Sequence, residues 1–327
     1  MSGVVRTAMS ADVFDLLFDE PRMRRLISLS SAASLRFDDG PVGDTEILLT
    51  SWGAPRLDAS ALDRMPRLRA VVHAAGSVQD LVSDELWDRE IVVTSAADAN
   101  AVPVAEFAFA SIVLAFKRAF AHVRNQERES LGWGDLVTSA AYGSAGRTVG
   151  IVGFSRIGRR VVQMLRQMDD VAVVVADPVV DASAVAESGA QLVTLPELLR
   201  RADVLSLHAP ALTETHHMIG RAELAALRDG ATVINTARGS LIDHDALFDA
   251  CASGRIGAVL DVTDPDPLPV DAPLRHLPNV ALTPHIAGSM GTDVRRLADA
   301  ALDDVEALLA GETLPWAITR RDMQVSA

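Results

Sequence analysis

Cysteine, lysine and aromatic residues are all scarce in this 327-residue chain. Cys251 stands alone, so neither an intrachain disulfide nor a thiolate metal cluster can form. Lys117 is the only lysine, and its setting, "AFKRAF", lacks the glycines of a Walker loop and has the look of an amphipathic helix. A P-loop nucleotidase and a lysine Schiff-base enzyme are both disfavoured. Aromatics make up 4% of the chain, and Ala, Val and Leu supply most of its apolar content, which suits helices on a sheet better than an aromatic-rich binding surface. Positive charge is also in deficit. A formal charge of −14 argues against nucleic acid and against an anionic membrane surface, both of which need clustered Lys and Arg. Solubility is sufficient reason for such acidity. No uninterrupted apolar run reaches membrane-spanning length, and "MSGVVRTAMSADVFDLLFDE" gains acidic residues too early for a signal peptide. A cytoplasmic protein is expected.

What is present is an alternation. Strands are predicted at 46–52, 68–75, 91–96, 148–154, 171–177, 204–210, 231–237, 257–263 and 279–285. Several are apolar throughout, as parallel strands covered on both faces must be. Helical patterns at 156–168, 182–189, 195–202 and 221–228 lie between them, which implies right-handed βαβ units and doubly wound parallel sheets of the α/β class. Two longer helices are predicted over 102–128 and 288–309, with a Gly- and Ser-rich loop at 129–147. The chain therefore divides into a small unit, 1–100 completed by 290–327, and a larger one, 101–289.

The stretch "VGIVGFSRIG" (149–158) follows an apolar strand and opens a helix, the context of a dinucleotide fingerprint, but Ser155 stands at the middle glycine. Amides in the first turn of that helix would face a pyrophosphate. Asp177 follows Gly158 by nineteen residues and ends the next strand, where a carboxylate accepts from an adenosine ribose; no Arg follows in "DPVVDAS" to take a 2′-phosphate. By itself the loop is equally a plain strand–helix turn. A nucleophile elbow, G-x-S-x-G, fails at Ile157.

Three further strings end strands in polar residues, where ligands of open α/β sheets sit. In "VINTARGSLID" (233–243), Arg238 is able to grip a carboxylate with a bidentate fork. "LDVTDPDPLP" (260–269) carries three carboxylates, and "LTPHIAGS" (282–289) places His285 before a helix.

Together with "SLHAPALTETHHMI", these strings resemble, in order, the signatures of the D-isomer-specific 2-hydroxyacid dehydrogenases, of the phosphoglycerate dehydrogenase and hydroxypyruvate reductase type. The resemblance covers residues 148–289 and, more weakly, "HAAGSVQDLV" (73–82) and "DANAVPVAEFAF" (98–109). It implies a Rossmann NAD-binding domain, 101–289, inserted in a smaller flavodoxin-like substrate-binding domain. It implies an NAD-dependent oxidoreductase that moves a hydride between nicotinamide and a small 2-hydroxy or 2-oxo acid, working as a homodimer. Arg238 would bind the substrate carboxylate and oxo group, and His285 would act as general acid and base. Asp266 stands where the family has glutamate; it is one methylene shorter but keeps the charge that orients His285 and favours its protonated form. The resemblance also implies cofactor contacts from Gly153, Ser155, Arg156, Ile157 and Gly158 at the pyrophosphate and Asp177 at the ribose. His208, Ala209, Pro210 and Thr215 would border the adenine; Thr236, Ala237, Asp261, His285 and Gly288 would line the nicotinamide side, with Asp261 receiving the carboxamide. Substrate would also meet Ala75, Gly76 and Ser77, followed by Val78 where the family tends to have glycine.

A catalytically weak NAD(H)-sensing binding protein on the same fold is the alternative, since fold alone does not settle function. No metal is expected. His216 and His217 are adjacent, so a helix or strand would not aim both at one ion, while His122, His244 and His276 read as surface residues.

Overall fold

The computed structural model describes residues 4–31, 35–36, 42–125 and 132–324. The chain forms two units: Met1–Ala101 with Ser289–Ala327, and Val102–Gly288.

The first unit holds a parallel sheet of β1 (Val5–Ala8), β2 (Ile47–Thr50), β3 (Ala70–His73) and β4 (Val92–Ser95), side by side in that order. Outside β1, Thr7 bridges Arg36 in parallel, and its amide donates to Leu35 O at 2.6 Å. Counted with that bridge, the spatial order is 2-1-3-4-5, the doubly wound arrangement of flavodoxin-like folds. One face is covered by the helix Val294–Ala310, which sets Leu297, Ala298, Ala301, Leu302, Val305 and Leu308 against Ile47, Leu49 and Val72. The spacing follows the 3.6-residue period of a helix that buries one stripe. Gly311, left-handed at φ 80°, ends the helix. The C-terminal segment thus completes the core of the N-terminal one.

The second unit holds a seven-stranded sheet, all pairs parallel: β5 (Arg147–Val152), β6 (Val171–Ala176), β7 (Gln191–Leu192), β8 (Val204–Leu207), β9 (Thr232–Asn235), β10 (Gly257–Leu260) and β11 (Val280–Leu282). The spatial order is β11-β10-β9-β8-β5-β6-β7. Strand order reverses between β5 and β8, so the crevice for a ligand lies beyond the carboxyl ends of those two strands. Helices cover both faces. Val161, Val162 and Leu165 of one helix pack on one face with Ile112 and Phe116, and Leu198, Leu224 and Leu247 pack on the other. Full burial of each such side chain is worth roughly 1.5–3 kcal/mol.

Several predicted boundaries need correction. The helix expected over 102–128 starts earlier, at Ala97, and stops at Phe116. Lys117 and Arg118 turn the chain, Arg118 at φ 51°, and a second helix runs Ala119–Asn125; residues 126–128 lie outside the described residues. Ala97–Phe116 is also long and apolar enough to cross a bilayer by length and composition alone, with mean hydropathy 1.7 over its most apolar window. Ala105, Ala108, Ile112, Ala115 and Phe116 of this helix are core residues, packed with Val149 and Ile151 of β5. Within the loop expected at 129–147 a short helix forms at Trp133–Val137, the residues 129–131 lying outside the described set. The last long helix begins at Val294 rather than 288, after a single 3-10 turn at Gly291–Asp293.

His73, at the end of β3, is buried and shares a 2.9 Å hydrogen bond between Nδ1 and Thr50 Oγ1. Burial pushes its pKa down to about 4, so the folded chain holds a neutral imidazole that the unfolded chain protonates more readily. The unfolded state therefore binds more protons between pH 6.5 and 4, and stability is lost as pH falls through that window. Urea unfolding of the protein and of His73→Asn from pH 7 to 4.5 is expected to show a slope smaller in the variant by up to about 1.4 kcal/mol per pH unit.

Candidate active site

The turn after β5 is built by two glycines. Gly153 has φ 93°, and a Cβ there would stand 2.6 Å from Ala209 N at the end of β8. A Cβ on Gly158 would stand 2.2 Å from Gly153 O, so only glycine lets the helix Arg156–Leu165 pass this close to the turn. Ser155 is the N-cap of that helix, its Oγ accepting from Gly158 N at 3.3 Å. The hydroxyl in place of the middle glycine is thus turned onto its own helix. Arg156 and Ile157, as the first two helical residues, have no intrahelical acceptor for their amides, and the positive end of the helix dipole lies there. Asp177, at the end of β6, accepts from Phe154 N at 2.7 Å through one oxygen and from Val179 N at 2.9 Å through the other. The residue expected at a ribose therefore also fixes the glycine turn.

Across the switch point, His208 is buried, with Nε2 3.0 Å from Ser206 Oγ and Nδ1 without a hydrogen-bond partner among the described residues. Burial lowers its pKa to about 3, so the ring is neutral. Ala209 and Pro210 follow; Thr215 Oγ1 donates to Pro210 O at 2.6 Å and accepts from Leu212 N at 2.8 Å, closing the loop on itself.

The other three strand ends carry the residues with chemistry. Asn235, Leu260 and Leu282 stand in register across β9, β10 and β11. Arg238, Thr263 and His285 each lie three residues beyond that row, which brings Arg238 and His285 to the same end of the sheet. Asn235 shapes the turn, its Nδ2 donating to Arg238 O at 2.8 Å and its Oδ1 accepting from Ala237 N at 3.0 Å. Thr236 Oγ1 is buried and has no hydrogen-bond partner among the described residues. The Arg238 guanidinium donates to Ala237 O at 2.7 Å and pairs with no carboxylate among the described residues. Its side chain reaches solvent, yet desolvation by the surrounding protein lowers its pKa from the ordinary guanidinium value.

His285 Nδ1 lies 2.8 Å from Asp266 Oδ2, so the shorter carboxylate does reach the imidazole. His285 has φ 57°, a left-handed conformation costly for a residue other than glycine. Asp261 sustains it. The carboxylate is 2% exposed and accepts from Thr283 Oγ1 at 2.6 Å, Ile286 N at 2.8 Å and Ala287 N at 2.8 Å, while its carbonyl accepts from His285 N at 2.9 Å. Asp261, the residue expected to receive a carboxamide, thus also ties down the chain on both sides of His285. Gly288 closes the segment that follows.

In the first unit, Ala75, Gly76 and Ser77 follow β3, and Ser51 Oγ donates to Ala74 O at 3.0 Å to hold the start of that loop. Ala75 is buried, whereas Ser77 is exposed. The roles of Asn235 and Thr283 carry no sequence signal, because each acts through backbone groups or a partner in a separate strand. The two adjacent histidines stand side by side. His216 and His217 lie in neither a helix nor a strand, their rings stack at 3.9 Å between centroids, and Asp264 stands with them. His244, expected at the surface, is half-buried, with Nδ1 3.1 Å from Ile242 O.

A glycine turn and a bare helix start at the switch point, an orphaned threonine hydroxyl nearby, and an oriented imidazole with an unpaired guanidinium on the adjoining strand ends are what a nicotinamide-dependent oxidoreductase needs. Residues 110–287 match the model of the D-isomer specific 2-hydroxyacid dehydrogenase NAD-binding domain. The chain is 32% identical over 288 residues to a glyoxylate reductase of Korarchaeum cryptofilum, covering 87% of this chain and 86% of that one. It is 32% identical over 317 residues to a D-3-phosphoglycerate dehydrogenase of Mycobacterium tuberculosis, covering 93% of this chain but 58% of the relative. Among solved structures, a D-lactate dehydrogenase from Aquifex aeolicus complexed with NAD and lactic acid superposes with a TM-score of 0.69 at 26% identity, over 95% of this chain and 96% of that one. The chain belongs to the D-isomer-specific 2-hydroxyacid dehydrogenases, NAD-dependent oxidoreductases acting on CH–OH groups.

Asp261→Ala would leave three donors without their acceptor, at a cost of about 3 kcal/mol or more. Urea unfolding is expected to show that loss. A milder loss is expected for Asp261→Asn, whose amide nitrogen cannot accept.

Proposed function

We propose that this enzyme interconverts a small 2-oxo acid and its 2-hydroxy acid with NAD(H), using Arg238, His285 and Asp266. The observation that carries the reading is the 2.8 Å contact between His285 Nδ1 and Asp266 Oδ2, made at the sheet end where Arg238 has no carboxylate partner. Nicotinamide, when bound, supplies or accepts the hydride. The amides of Arg156 and Ile157 and the turn at Gly153 would hold its pyrophosphate, Asp177 its ribose, and the segments at His208–Pro210 and Thr236–Ala237 its two ends. The substrate carboxylate and oxo oxygen would lie on the Arg238 fork, which fixes the 2-carbon and stabilises charge developing on oxygen. Asp266 would accept from Nδ1 of His285 and leave Nε2 for the substrate. In reduction, Nε2 gives its proton to the 2-oxygen as that oxygen becomes an alkoxide; in oxidation it takes the hydroxyl proton back. The assignment of Ala75, Gly76 and Ser77 to the substrate carboxylate rests on the family resemblance. A small acid of the glyoxylate or hydroxypyruvate kind suits the Arg238 fork, and relatives bear such names.

A homodimer is part of the proposal. Leu114, Val123, Trp133 and Val137 are exposed within 102–137 and would supply apolar area for the contact. Light scattering behind size exclusion is expected to give twice the chain mass, and Trp133→Glu to shift it toward a monomer.

Turnover of a panel of 2-oxo acids, followed by loss of reduced-nicotinamide absorbance, tests the chemistry. His285→Ala is expected to lower kcat by about 10²–10⁴. Arg238→Lys is expected to lower kcat/KM about 10–100-fold by losing the bidentate fork. Asp266→Asn should lower kcat with KM little changed, and Asp266→Glu should restore it. Asp177→Ala is expected to narrow the preference for NADH over NADPH. Absence of turnover with NADH binding intact would overturn the enzymatic reading in favour of a cofactor sensor.

A further inference from the structure

His216, His217 and Asp264 each offer one ligand atom, and the three atoms lie within 4.8 Å of one another. All three side chains are exposed. Three segments build the cluster. The turn after Thr213–Thr215 carries both histidines, and His217 adopts φ 52°, which lets consecutive side chains leave the backbone on one side. That turn is fixed from below, since His217 N donates to Ser240 O at 2.8 Å and Ile219 N donates to Leu241 O at 3.0 Å. Asp264 is brought in by Gly239, where a Cβ would stand 2.1 Å from the carbonyl carbon of Thr263 and 2.6 Å from Asp264 N. The backbone at 263–264 therefore lies directly on the 239–241 turn, beside the histidines.

We propose that His216, His217 and Asp264 form a surface site for one divalent transition-metal ion. Two imidazole nitrogens and one carboxylate oxygen form a donor set suited to zinc, nickel or copper rather than to magnesium or calcium, which favour oxygen alone. Ligand atoms about 2.0–2.1 Å from zinc in a tetrahedron stand roughly 3.3 Å apart, so closing around the ion needs a shift of exposed side chains only. Water completes the coordination. The ion would join the 213–219 turn to the loop that carries Asp266. The site shares no ligand with the His285–Asp266 pair.

The test is a titration of the purified 327-residue chain with zinc alone, competed against a chromophoric chelator. To keep the candidate active-site imidazole out of the count, it is run in the His285→Ala background. One ion per chain with a micromolar Kd is expected, accompanied by a higher melting temperature. His216→Asn, His217→Asn and Asp264→Asn should each weaken binding by at least about tenfold, which is about 1.4 kcal/mol. Asn tolerates the left-handed backbone at 217, so that variant removes the ligand without disturbing the turn. His276→Asn, an exposed histidine outside the cluster, should bind as before. Failure to saturate at one ion per chain, or affinity in the three cluster variants unchanged from that of the parent, would overturn the site.

Discussion

The Asp261 carboxylate is the constraint on which the candidate chemistry depends. It is buried, and a buried carboxylate is tolerated only when donors surround it. Those donors come from residues 283, 286 and 287, on both sides of His285. The histidine is thereby held in a backbone conformation that its own side chain disfavours. With the backbone settled, the ring has only to meet Asp266. The reach of a carboxylate one methylene shorter than glutamate is sufficient because the main chain has already placed the ring.

The glycine turn shows the same economy of means. Gly158 allows the helix to approach, Ser155 caps it, and Asp177 ties Phe154 to the end of the next strand. Each contact spends side-chain polarity on backbone geometry and leaves the helix-start amides open. Serine is compatible with the fingerprint because its hydroxyl folds back onto the helix rather than into the space above the turn.

Much of this was legible in the sequence where burial and pattern agree. Strands such as β5, β6 and β8 carry mostly apolar, buried runs, so composition located them, although predicted ends ran one to three residues past the strands. β1 escaped because "VRTA" reads as polar, yet all four positions are buried, with Arg6 paired to Asp44 at 2.9 Å. β7 is two residues long and leaves no periodic trace. The helix start at Ala97 was hidden by "ADAN", a string that reads equally well as a turn. The catalytic candidates were visible as motif members, but the roles of Asp261, Asn235 and Thr283 were not, because each depends on which strand end lies next to which. Sequence adjacency misled at His216 and His217, where a single left-handed residue undoes the rule that neighbours in a strand point apart.

The first unit is assembled from the two ends of the chain, and its core includes Leu297, Leu302 and Val305. During synthesis, residues 1–101 leave the ribosome with one face of their sheet only partly covered, by Leu17, Phe18, Leu26 and Leu29, until some two hundred further residues have been made. The second unit, continuous in sequence, has every strand it needs before then. Emergence order therefore favours the dinucleotide unit folding first, with the smaller unit closing last around the returning helix. Until that helix arrives, the uncovered part of this apolar face is a surface that chaperones or premature self-association would find.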